Sequence, residues 1–164
     1  MFNLLKQYNQ LLELDSLSVQ ERQKSLERIF KRDFIDGRLK FKNKIVVPTP
    51  EMGKDTMEVL FNHLTRKTEN HDNKHREYDR DRSMRIHWIK FHVYENAPEK
   101  LTIFSVNDSK AVRTYLYDKD EHYVIILEPR KNKNEYYLIT AYYLTGGNKN
   151  KIEGKLRRKL DRIY

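Results

Sequence analysis

Tyr123-Val-Ile-Ile-Leu-Glu128 and Tyr136-Tyr-Leu-Ile-Thr-Ala-Tyr-Tyr-Leu144 are the two most apolar runs of the chain. Both are rich in β-branched and aromatic residues, and a polar turn, Pro129-Arg-Lys-Asn-Lys-Asn-Glu135, joins them. The pattern predicts a hairpin at the centre of an antiparallel sheet. Leu101–Val106 and Arg113–Tyr117 precede it as two further strands separated by polar turns, which makes a four-stranded meander. Along the last strand Thr140 and Tyr142 alternate, so they are expected on one side of the sheet, together with Tyr136 and Leu138. Hydroxyls on an open sheet face suit base stacking and phosphate binding, and they equally suit strand propensity alone.

Outward from the hairpin, Lys151–Ile163 reads as a basic helix with Ile152, Leu156, Leu160 and Ile163 on one face. Toward the N-terminus, Met84, Ile86, Trp88, Ile89 and Val93 mark a helix that stops near Pro98. Met57, Leu60, Phe61 and Leu64 mark another, over Thr56–Arg66. Arg38-Leu-Lys-Phe-Lys and Ile45-Val-Val flank a short turn and read as a small separate hairpin. Two helices are expected first of all, over 2–14 and 18–32. The second begins with Ser18 and Glu21 in capping-box spacing. The expected class is therefore α+β: N-terminal helices packed on a four-stranded antiparallel sheet, with a basic C-terminal helix. Residues 1–33 form a helical extension and 34–164 the main domain.

The 164 residues suit one core, and a 35% charged, 38% hydrophobic, 12% aromatic composition is polar but foldable. No apolar run reaches the length of a membrane span. The opening Met1-Phe-Asn-Leu-Leu-Lys6 has no export-signal pattern, and the absence of cysteine excludes disulfides, so a cytoplasmic protein is expected. The formal net charge is +9. From Lys149 to Tyr164 seven basic residues stand against two acids, a patch that attracts phosphate backbones or simply solvates a helix face.

Three constellations bear on chemistry. His63 lies in an apolar-periodic helix and has the side chain best suited to general base work near neutral pH. Arg82 and Arg85 recur at a spacing of three, so two guanidiniums share a helical face that can hold a phosphate. His71 and His75 are four apart but lack the intervening Glu of a zinc-protease helix. No metal and no cofactor is implied.

Phe61-Asn-His-Leu64, Asp81-Arg-Ser-Met-Arg-Ile-His-Trp-Ile89, Thr114-Tyr-Leu116, Tyr123-Val-Ile-Ile-Leu127 and Tyr136-Tyr-Leu-Ile-Thr-Ala-Tyr142, followed by a Lys-rich helix, together resemble a known group. They are similar to phage- and prophage-associated proteins of the barnase–EndoU–colicin–RelE-like nuclease superfamily, metal-independent toxin ribonucleases. The resemblance covers roughly residues 34 to 160. It implies RNA held on the sheet face away from the helices, and a catalytic set of His63, Arg82, Arg85, Thr140, Tyr142 and Lys155. Lys149, Lys151, Arg157 and Arg158 are implied as RNA contacts. The family's last segment runs directly from the Thr-Ala-Tyr strand into basic residues; here Gly146-Gly-Asn-Lys-Asn150 intervenes, which leaves Lys149, Lys151 and Lys155 as alternatives for the catalytic lysine. An endoribonuclease acting on RNA, tRNA included, and countered by an immunity or antitoxin protein is the activity implied. A non-catalytic nucleic-acid-binding protein and a protein-interaction module docking through residues 1–32 are the other readings.

Overall fold

In the computed structural model, residues 2–68 and 76–164 are described. The first segment is not the expected helix. Phe2–Leu5 makes one 3₁₀ turn, and the chain then runs as an irregular strap up to Ser18. Its backbone groups are taken by a distant element instead of by the i−4 neighbour. Trp88 Nε1 donates to the Gln10 carbonyl and Leu12 N to the Met84 carbonyl, at 3.1 and 3.0 Å. Asn9 adopts a left-handed φ of 63°, which a helix does not contain. Leu12 and Leu14, two apart as in extended chain, are fully buried.

Ser18 caps α1 (Val19–Phe30), and the reciprocal bonds between Ser18 and Glu21 complete the capping box. A π-helical stretch, Lys31–Asp36, continues it. Next come β1 (Lys40–Phe41), β2 (Lys44–Pro48), α2 (Thr56–Thr65), β3 (Arg66–Thr68) and β4 (Arg76–Tyr78). Two short helices, α3 (Arg80–Ser83) and α4 (Trp88–Val93), precede the strands β5 (Leu101–Asn107), β6 (Val112–Asp118), β7 (Tyr123–Pro129) and β8 (Glu135–Tyr143). The last helix is α5 (Asn148–Arg157), shorter than its periodicity predicts. The chain beyond it runs along the outer edge of β5, where Leu160 N donates to the Ser105 carbonyl at 2.8 Å.

The expected four-stranded antiparallel sheet is corrected by the pairing of β2. It lies parallel against β8, with Val46 opposite Tyr136 and Val47 opposite Tyr137. The main sheet therefore has six strands in the order β1-β2-β8-β7-β6-β5, is mixed, and curls into a half-barrel. β3 and β4 make a separate two-stranded ribbon. A meander that stopped at β8 would leave its most apolar strand on an edge, with unpaired N–H and C=O groups; β2 covers that edge.

Nor do the helices form one N-terminal layer. On one face, α1, α2, α4 and the strap bury Leu12, Ile29, Phe61, Trp88, Ile125, Leu127 and Leu138 in one core. On the other, α5 lays Ile152 over Phe104, Tyr115, Tyr117, Val124 and Ile126. Residues 1–33 thus share a core with the sheet. Among the described residues no helix is long and apolar enough to cross a membrane.

The strap is testable because a helix and an extended chain bury different leucines. Leu12→Ala is expected to cost roughly 2–5 kcal/mol in urea unfolding. Leu5, 77% exposed, is expected to change stability by no more than about 0.5 kcal/mol on the same substitution. Equal losses at both positions would contradict the strap.

Candidate functional site

A cleft of about 690 Å³ opens where α2, the β3–β4 ribbon and α3 face the end of the sheet. Asp55 caps the start of α2 by accepting from the amides of Met57 and Glu58. That helix buries Leu60, Phe61 and Leu64 and turns Val59 and His63 into the cleft. The sheet supplies Arg113 from β6, Glu128 from β7, and Ile139 and Thr140 from β8. Glu51 comes from the segment after β2, Lys67 and Arg76 from the ribbon, and Arg82 from α3. Four permanently charged cations therefore face two carboxylates.

Thr140 reaches the cleft because β8 is bulged. Ile126 of β7 pairs with Thr140 and Leu127 with Leu138, so Ile139 is an extra residue. Before the bulge Tyr136 and Leu138 point into the helix-side core; after it Ala141 does. Strict alternation had put Thr140 and Tyr142 on the side of Tyr136 and Leu138, and the bulge reverses that phase. Ile139 and Tyr142 pack instead with the core under α5. The Thr140 hydroxyl is buried and finds no hydrogen-bond partner among the described residues.

His63 is half-buried, and its Nδ1 lies 3.5 Å from Arg76 Nη2, at the outer limit of a hydrogen bond. Burial, then the charges of Arg76 and Arg82, hold the imidazole below its ordinary value, against the opposing pull of Glu51. The ring is neutral at neutral pH, the state a general base needs. Arg82 positions it. Its Nη1 donates to the carbonyls of His63 at 2.8 Å and Arg66 at 3.2 Å, pinning the end of α2. The Arg82 Nε is buried without a hydrogen-bond partner among the described residues, with Asp79 3.6 Å away.

Arg85 does not join Arg82. The chain between α3 and α4 turns through i−3 bonds, and Arg85 stacks on the Tyr143 ring at 3.9 Å and near Trp88 at 5.4 Å. Its Nη1 donates to the Asp81 carbonyl at 2.8 Å, and the residue is only 8% exposed. Tyr142 lies behind the cleft, with the Arg82 guanidinium 5.6 Å from its ring. Lys155 is held by Asp108 at 2.6 Å outside the cleft lining. Lys149, Lys151, Arg157 and Arg158 are exposed on and just after α5, and none lines the cleft. His71 and His75 lie outside the described residues.

Arg76, Arg113, Glu51 and Glu128 were not expected here. Arg113 did carry a signal: it shares strand parity with Tyr115 and Tyr117, which are buried under α5. Arg76 stands in a charged stretch that gives no periodicity at all. No family model, no curated protein and no solved structure matches the chain.

The groups in the cleft can take a proton at neutral pH and surround an oxyanion with N–H and O–H donors. The His63 imidazole is expected to titrate below 6.5 in an NMR titration of its ring protons. Arg76→Gln is expected to move that midpoint upward. The folded state favours the neutral ring, so this histidine withdraws stability as pH falls below the free-imidazole value. A midpoint at or above 6.5 would remove the electrostatic description of the site.

Proposed function

We propose that the cleft is the active site of an endoribonuclease that cleaves RNA through its own 2′-hydroxyl. What supports the reading is the meeting of His63, Arg82 and Thr140, from α2, α3 and β8, in one cleft with Arg76 and Arg113. The resemblance to metal-independent toxin ribonucleases points the same way. His63 takes the 2′-OH proton as O2′ bonds to phosphorus. The O5′–P bond breaks and the leaving oxygen takes a proton from water, giving a 2′,3′-cyclic phosphate and a 5′-hydroxyl. Arg76 and Arg113 face the added charge of the phosphorane, where guanidiniums bind oxygen pairs bidentately. The Thr140 hydroxyl donates to a non-bridging oxygen, and Arg82 keeps His63 in place. In this assignment Arg76 and Arg113 take the roles that the resemblance gives to Arg85 and Lys155.

A binding role without cleavage is favoured by one contact alone. Should Arg76 keep its hold on His63 Nδ1 when RNA is bound, the imidazole has no lone pair there for the 2′-OH. Total RNA and tRNA incubated with the protein in EDTA are expected to yield cyclic-phosphate ends. His63→Ala is expected to lower the rate roughly 10²–10⁴-fold with RNA affinity retained. Arg85→Ala is expected to lower the melting temperature, because it empties a buried stack. Tight RNA binding with no product would sink the catalytic assignment and leave the binding one.

A further inference from the structure

Beside the cleft, on the α5 face of the sheet, Asp108 leads out of β5 and is gripped from two sides. Lys155 Nζ donates to its Oδ1 at 2.6 Å, and the Tyr115 hydroxyl donates to its Oδ2 at 2.9 Å. Both carboxylate oxygens are thus bonded, one by a cation and one by a neutral donor. A phosphate placed there would ask for the same set. Arg113 stands two residues before Tyr115 on the same face of β6, about 7 Å along the strand. That is the scale of one step between successive phosphates of an extended nucleic acid. Arg113 itself lines the cleft, and its Nε is buried without a hydrogen-bond partner among the described residues.

We propose that Tyr115 and Lys155 form a second phosphate subsite next to the one at Arg113, and that the Asp108 carboxylate fills it while no RNA is bound. The inference rests on the reading of the cleft as an RNA site. A strand with one phosphate against Arg113 brings its neighbour to Tyr115 and Lys155, and Asp108 has to leave. The exchange needs no opening of the core, since the Lys155 and Asp108 side chains are 24% and 30% exposed. Burial pushes the Asp108 carboxyl up, but its bonds to Lys155 and Tyr115 and the charges of Lys155 and Arg113 outweigh that. The group is therefore ionised and competes with phosphate as an anion. Lys151, one turn earlier on α5 and exposed, extends the cation row away from the cleft.

The test is binding of a short 2′-O-methyl RNA, which cannot be cleaved, measured across salt concentrations for the intact chain. Asp108→Asn is expected to tighten binding roughly threefold to fivefold. It is also expected to steepen the salt dependence by about 0.7 in slope, the signature of one more phosphate on a single strand. Adding Lys155→Ala to Asp108→Asn is expected to cancel both changes, and circular dichroism confirms that each variant is folded. Unchanged or weaker binding by folded Asp108→Asn, with RNA bound by the native chain, overturns the subsite and leaves the cleft assignment intact. Tightening in a protein that forms no cyclic phosphate supports the subsite and removes only the chemistry. No binding by any of the three proteins removes both.

Discussion

Everything at the working end of this molecule depends on the exposed edge of β8 finding a partner. β8 is the longest strand, and β7 covers only one side of it. The other side takes β2 in parallel register from Ile45 to Pro48. Because β2 is parallel to β8, the chain leaves it at the same end at which β8 runs on toward Thr140. Thr49, Pro50 and Glu51 follow at once as the cleft rim, and α2 then brings His63 over the sheet. A hairpin standing apart from the sheet would not fix where α2 begins. The helix-borne imidazole and the strand-borne hydroxyl are therefore placed against each other by a ladder of backbone bonds.

Arg82 and Arg85 show how the same residue type divides between structure and chemistry within one turn of chain. Arg85 buries its guanidinium against the Tyr143 and Trp88 rings, an arrangement in which the charge is met by π faces and one carbonyl. Arg82 spends Nη1 on two carbonyls at the end of α2 and lies beside the Tyr142 ring. Planar guanidiniums allow this, since their donors point in fixed directions and can serve carbonyls and a ligand at once. A lysine at either position would lose the stacking and the fork.

What was legible in the sequence was local. The capping box of Ser18 and Glu21, the strands β5 to β8 and the helix carrying His63 all follow from periodicity and cap chemistry. What was hidden depends on contacts between distant segments. Residues 2–14 have helical spacing of apolar side chains, yet bonds from Trp88 and Met84 draw the backbone out into a strap. The parallel partner of β8 lies far back in the chain, where a five-residue run advertises only a short hairpin. The bulge at Ile139 leaves no mark in composition, and it alone changes the face on which Thr140 appears. The candidate site was accordingly half visible. His63, Arg82 and Thr140 sit in recognisable elements, whereas Arg76, Arg113 and the carboxylates enter through pairings that no local pattern records.

Buried polar atoms in folded proteins are nearly always bonded, because a buried donor without an acceptor loses its hydration for nothing in return. Three exceptions converge on this cleft: the Nε of Arg82, the Nε of Arg113 and the hydroxyl of Thr140. They come from α3, β6 and β8, elements with no reason of local sequence to share a defect. Local rules of this kind fail together mostly where function requires it. Two of the three groups can only donate, and the third can donate as well. Their common need is for acceptor oxygens, which a carbonyl or a cation ligand could not supply in number and a tetrahedral anion can. With the Arg76 charge beside them and a neutral imidazole on the opposite wall, a phosphodiester meets every one of these unfilled valences at once.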